Sequence, residues 1–406
     1  MGKPETELLD TKRYDKLGMI KQLHQFCDIN SGTTNLSGLV QMRHALHAAF
    51  SPVADDIQTI TLPEITQITM NGNRALQACG DALYIRKRPE LKRRVLLSGH
   101  MDTVYDINHP FQTLTYLNDN QLNGPGVADM KGGLVVMLHA LLAFESTPQA
   151  SALGWDILIN ADEETGSLAS RSLIKDIAPQ YQAALVYEPA MTTHGMFAKN
   201  RKGSGKLTLV STGRAAHAGR AFDDGRNAIC YLAEIITAVH ELNGKREGVT
   251  INVGKMWGGE ALNVVPEKAV AKLDIRISQP EDEAWVREQL DWLLERMKRP
   301  DYHIDLSGSF DRPVKRINEK TVSLFSRIQH MGRQLGLSLD WADSGGCCDG
   351  NNLAQHGLPV LDTLGVRGGD IHSPNEFILL DSLVERAALS AMVLHDLAQG
   401  GLERLS

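Results

Sequence analysis

Three short apolar runs, Val95-Leu96-Leu97, Ile157-Leu158-Ile159 and Ala184-Leu185-Val186, each give way within a few residues to a side chain able to bind a metal: His100, the pair Glu163 and Glu164, and Glu188. Runs of this length read as fully buried strands. Helical patterns at Gly132 to Phe144 and Ser167 to Ile177 separate them, and two further helices are expected between Asp15 and Phe50, broken at Asn30-Ser31-Gly32. Strands alternating with helices imply a mostly parallel sheet with helices on both faces, an α/β class in which ligands gather beyond the carboxyl ends of the strands. The polar residues stand where that rule places a site.

The stretch from Val95 to Gly133 carries two further acids. Asp102 lies two positions after His100, where its carboxylate can accept the second imidazole N–H and orient the ring toward a metal. Asp129 follows in the loop NGPGVADMKGG, and His372 in GGDIHSPNE. Two imidazoles and three carboxylates exceed what one catalytic zinc takes and suit two ions, one carboxylate bridging them. Asp129 is the candidate bridge because it comes from a loop. Glu163 and Glu164 diverge if the backbone is extended, so one can bind metal while the other faces water and moves its proton. Each acid taken alone is equally well read as a helix N-cap or solvated turn residue. His24, His139, His240, His330 and His395 fall inside helical patterns and are read as structural.

After Asn200 the pattern changes. KGSGKLTLVSTG, GVTINVGKMWGG, AVAKLDIRIS and YHIDLSGS alternate as half-buried strands, with helices at Arg226 to Leu242 and Glu281 to Lys298. That order is a split βαβ unit, ferredoxin-like α+β, inserted at about 201–311; 1–200 and 312–406 then form the main domain. The last part reads as a helix from Thr321 to Leu335, a Gly- and Asp-rich loop DSGGCCDGNN, a buried run Val360 to Leu364 and a helix from Leu380 to Leu397.

With 406 residues, two domains are the prior expectation, and a formal net charge of -7 offers no basic stripe for nucleic acid. Cys27, Cys79, Cys230, Cys347 and Cys348 form neither an even framework nor a CxxC pair and read as reduced thiols, which points to the cytoplasm. Cys347 and Cys348 are taken as small packing residues. The charged N-terminal stretch lacks the apolar core of a secretory signal, and no membrane span is expected. Met1-Gly2 with Thr6 fits an acylation pattern formally, with Pro4 and Glu5 pointing to a chance match.

GHMDTV, NGPGVADMKGG, ADEETGS, YEPA, AAHAG and GGDIHSPNE occur in an order that resembles the M20 family of metallopeptidases and deacylases, nearest its glutamate carboxypeptidase branch. The resemblance covers nearly all the chain after about residue 80. It implies His100 and Glu188 at one metal, Glu164 and His372 at the other, Asp129 bridging, Asp102 orienting His100, and Glu163 as general base. It further implies that the inserted domain serves as lid and dimerisation domain in a homodimer, with His217 reaching the partner subunit's site to hold the oxyanion. Asn263 and Arg276 would hold substrate, Arg276 as a two-pronged clamp on a free carboxylate. The implied cofactors are two divalent ions, zinc first, with cobalt or manganese also suited to such ligands. The implied activity removes a C-terminal amino acid, glutamate among the candidates, from a peptide or N-acyl conjugate. The alternatives are an N-acyl-amino-acid deacylase of acetylornithine deacetylase type, sharing the mechanism, and a non-catalytic amino-acid or peptide binder on the same fold, against which Glu163 argues. SGGCCDGNN departs from better-known members in its adjacent cysteines.

Overall fold

The computed structural model describes residues 8–355 and 357–405. The pattern noted at Met1-Gly2 to Thr6 lies outside them. The chain packs into two compact units: 8–63, 79–200 and 315–405 in the first, 64–78 and 201–314 in the second.

In the first unit, helices α1 (Lys16–Cys27) and α2 (Leu36–Phe50) start at side-chain caps, Asp15 accepting from the Gly18 amide and Asn35 from that of Gly38. Strands β1 (Asp56–Ile60), β2 (Ala82–Lys87), β3 (Arg94–His100), β4 (Gly154–Asn160), β5 (Ala183–Val186) and β6 (Val360–Leu361) form one sheet in the order β1-β2-β4-β3-β5-β6. The β3–β4, β3–β5 and β5–β6 pairings are parallel; β2 runs antiparallel to both its neighbours. The mostly parallel sheet expected from the alternating pattern is therefore present. Every residue of β3 and β4 is buried. The chain leaves β3 for β4 on one side and later reaches β5 on the other, so the connections part at the carboxyl end of β3, where His100 pairs in register with Asn160.

Helix α3 (Gly132–Glu145) is apolar around most of its circumference and packs against the C-terminal helix α7 (Asp381–Asp396); between them in the chain come α4 (Arg171–Ile177), α5 (Glu319–Gln334) and α6 (Asp349–Ala354). The segment Val127–Glu145 is long and apolar enough to cross a membrane by length and composition alone, contrary to the expectation that no such stretch exists, but 83% of it is buried in the core. It is not one continuous helix: Asp129 and Met130 have non-helical backbone angles.

The second unit is a four-stranded antiparallel sheet in the order Thr250–Gly258, Lys268–Ile277, Gly203–Thr212, His303–Arg312, with helices Ala228–His240 and Asp282–Arg296. This is the split βαβ order read from the pattern. Tyr231, Leu232, Ile235, Leu207, Leu273 and Leu290 belong to its separate core. The hairpin Ile65–Ile68 and Arg74–Gln77 also packs in this unit, whereas the sequence pattern places all of 1–200 in the main domain. Gly72, at φ +72°, turns the hairpin close to Val210 and Val270, where a side chain would clash.

Candidate metal centre

His100 ends β3, and Glu163 and Glu164 follow β4 in a tight turn; Glu188 lies two residues past β5. Asp129 sits in the irregular backbone before α3, and His372 occupies a loop in the left-handed region at φ +61°, as Asp370 does at +54°. Non-glycine residues there cost ~1–3 kcal/mol each and persist where surrounding contacts over-determine them.

The structure brings five predicted ligands together. The two oxygens of Asp129 face different imidazoles, Oδ1 at 3.1 Å from His100 Nε2 and Oδ2 at 3.1 Å from His372 Nε2. Glu188 Oε1 lies 3.8 Å from His100 Nε2, and Glu164 Oε2 3.2 Å from His372 Nε2. Glu163 joins His100 and Glu188 in one group whose ligand atoms lie within 4.8 Å of each other; His100, Asp129 and Glu164 form a second. Two atoms held about 2.1 Å from one ion at a tetrahedral angle are about 3.4 Å apart, so the separations of 3.1–3.8 Å around His100 and His372 are those of atoms that can share an ion. Glu164 Oε1 is buried and has no hydrogen-bond partner among the described residues. A buried carboxylate oxygen in that state calls for a cation or water, and the donor set fits the former.

Asp102 meets the His100 ring with both its main-chain carbonyl and its carboxylate. The ring Nδ1 is 2.9 Å from the main-chain carbonyl of Asp102 and 3.4 Å from the carboxylate oxygen Oδ1. A Nδ1–H donated to the carbonyl leaves Nε2 as the acceptor that faces Asp129. The Asp102 carboxylate also gathers the turn: Oδ1 accepts the Glu163 amide at 3.2 Å, and Oδ2 accepts the Glu164 amide at 3.2 Å and the Thr33 hydroxyl at 2.7 Å. Thr33 had no signal in the sequence. The same turn is held from below, where Asp349 at the start of α6 accepts from Ser167 Oγ at 2.6 Å and Asn160 Nδ2 at 2.7 Å.

The charges are strongly coupled. Hydrogen bonds to Asp129 and then Glu164 push the His372 imidazolium up to about 11. Burial, with the Asp129 charge behind it, raises Glu164 to about 8. Burial works against ionised Asp129 as well, but the bonds from His100 and His372 outweigh it and hold the carboxyl well below the usual range. For His100 burial opposes protonation, while Asp102, Asp129 and the charges of Glu188 and Glu163 raise its proton affinity. Acids crowded in low dielectric need positive charge, which protons or cations can supply.

His217, Asn263 and Arg276 belong to the second unit. His217 lies on a two-residue strand paired with Val264, and the next amide, Ala218, donates to the Asn263 carbonyl at 2.9 Å, so these two are neighbours. Arg276 lies on Lys268–Ile277 with its guanidinium on Asp274, Nε to Oδ1 at 2.7 Å and Nη2 to Oδ2 at 3.0 Å. Any carboxylate it binds must share it with that acid. Cys348 is buried and caps α6, its thiol 3.3 Å from Asp362 Oδ2, and no disulfide forms among the five cysteines.

The family model for peptidase family M20/M25/M40 matches residues 96–396. The chain belongs to that family. This M20 peptidase is 24% identical to carboxypeptidase G2 of Pseudomonas sp. (strain RS-16) over 400 residues, 98% of the chain and 94% of the relative. In fold it is similar to the M20 family metallo-carboxypeptidase Sso-CP2 of Sulfolobus solfataricus, with a TM-score of 0.72, 17% identity, and 94% and 99% of the two chains covered. It is also similar to the YXEP protein of Bacillus subtilis, described as a dinuclear metal binding peptidase of the M20 family, with a TM-score of 0.60, 12% identity, and 93% and 98% covered. As an M20 peptidase the chain is a metal-dependent exopeptidase.

Proposed function

We propose that this chain is a di-zinc carboxypeptidase that hydrolyses the amide bond next to a free carboxylate, with glutamate the first C-terminal residue to try. The observation that carries it is Asp129, whose two oxygens each meet a different imidazole, each imidazole having its own glutamate. His100 and Glu188 would hold one ion, His372 and Glu164 the other, with Asp129 between. When bound, the ions polarise the scissile carbonyl and acidify water. Glu163 takes the proton of the attacking water and returns it to the leaving nitrogen. Arg276 and Asn263 hold the substrate, and His217 stabilises the developing oxyanion across a homodimer formed through the second unit. Similarity to carboxypeptidase G2 over almost the whole chain supports the carboxypeptidase reading. The cytoplasm fits the free cysteines.

The zinc-loaded protein, assayed against peptides with varied C-terminal residues and against N-acetyl amino acids, should release the C-terminal residue from peptides. Cleavage of acetylated amino acids alone would replace the carboxypeptidase with a deacylase, and binding without turnover would leave a binder. Glu163→Gln should lower kcat by ~10²–10⁴ with metal content unchanged. Wild-type turnover in that variant would remove Glu163 as the base.

A further inference from the structure

Glu376 takes no part in the scheme above, yet its carboxylate is completely buried and fully engaged. Oε1 accepts the amides of Ala128 at 2.9 Å and Asp129 at 3.0 Å; Oε2 accepts the Gly126 amide at 3.2 Å and the Tyr105 hydroxyl at 2.6 Å. The backbone here departs from helical geometry at Asp129 and Met130, so the amides at the head of the segment converge on one acid rather than entering a regular ladder. Charge-assisted bonds of this kind are roughly twice as strong as neutral ones.

The same residue closes the other side of the centre. Glu376 lies four positions after His372, and its amide donates to the Ser373 carbonyl at 3.0 Å; that carbonyl is also 2.9 Å from Tyr105 Oη, whose single proton it shares with Glu376 Oε2. Asn123, just before the Asp129 loop, donates to the carbonyls of Pro374 at 3.1 Å and Glu376 at 2.7 Å, and the Gly124 amide donates to that of Glu376 at 3.2 Å. One side chain therefore ties the loop that carries Asp129 to the loop that carries His372, whose left-handed backbone needs such support.

We propose that Glu376 is a positioning residue that sets the spacing between Asp129 and His372, and so the affinity of the centre for its ions. A glutamine in its place can keep the two amides on Oε1, but its amide nitrogen meets the Gly126 N–H, donor against donor. The Asp129 loop then loses its fixed height over the His372 loop.

The inference rests on the metal-centre reading above, and one experiment separates the two. Zn2+ is titrated into wild-type protein, Glu376→Gln and Tyr105→Phe in competition with a chromophoric chelator, with folding followed by circular dichroism. Wild-type protein that captures no zinc sinks the metal centre itself. If it binds, Glu376→Gln is expected to weaken zinc by about 10–100-fold, the usual effect of losing an outer partner, and excess zinc should restore activity. A merely structural role would reduce the amount of folded protein without moving the midpoint. A shift below threefold in folded Glu376→Gln overturns the proposal. Should that variant not fold, Tyr105→Phe decides by the same threefold threshold.

Discussion

In the first unit, strands Arg94–His100 and Gly154–Asn160 have every residue buried, whereas in the second, Lys268–Ile277 alternates buried and half-buried positions from Ala271 onward and Thr250–Gly258 exposes most of its length. A strand covered on both faces admits charge along its body only when it is paired there, as Asp156 is with Arg94, so the remaining acids collect where the strand ends. A strand with one wet face carries charge along its length and neutralises it locally, as Asp274 does with Arg276 two residues on. Five carboxylates of the first unit, Asp102, Asp129, Glu163, Glu164 and Glu188, gather around the imidazoles of His100 and His372. The difference teaches that the parallel sheet gathers its acids beyond the carboxyl ends of its strands, where positive charge can offset them.

The largest test of that contrast is removal of the ions. Dialysis against a strong chelator should abolish turnover, return of zinc should restore it, and the second unit's core should not notice; activity and circular dichroism followed together check both halves. Next comes the core under the site. Leu97→Ala, in a position with no exposure, should destabilise by about 2–5 kcal/mol in denaturant unfolding. Smaller is the effect of breaking a charge pair on the wet sheet. Asp274→Asn removes an acid about one-third exposed, so stability should change by less than about 1 kcal/mol, while KM for a carboxylate-bearing peptide falls because Arg276 loses its competitor. An unchanged KM would argue against Arg276 as the clamp. Smallest of all, Leu262→Ser, at a fully exposed position, should move stability by no more than about 0.5 kcal/mol; a larger loss would mean the second unit buries that residue against another molecule in solution.

The acids at the strand ends were legible because each is announced locally, by an apolar run and a turn of small residues. His100, Asp129, Glu164, Glu188 and His372 are accordingly found together, with Glu163 beside them. What the sequence could not show is whatever acts through the backbone of a distant segment. Glu376 stands inside the motif GGDIHSPNE, but its partners are amides some 250 positions earlier, and an amide has no letter in the sequence. Asp102 reads as the partner of a ring and stands beside it, yet it also serves main-chain donors and a threonine, because only the fold brings Glu163, Glu164 and Thr33 to it. The hairpin Ile65–Ile68 and Arg74–Gln77 was assigned to the main domain because its packing partners, Val210 and Val270, come more than a hundred residues later.

Helix α3 is finished long before α7, the helix it packs against, has been synthesised. At the usual ribosomal pace the intervening residues take on the order of 10–50 s to emerge, during which the face of this apolar helix that α7 will cover stays open. Chaperone capture of nascent chains should therefore concentrate on this segment, and truncations that drop α7 should aggregate rather than accumulate as a smaller folded core.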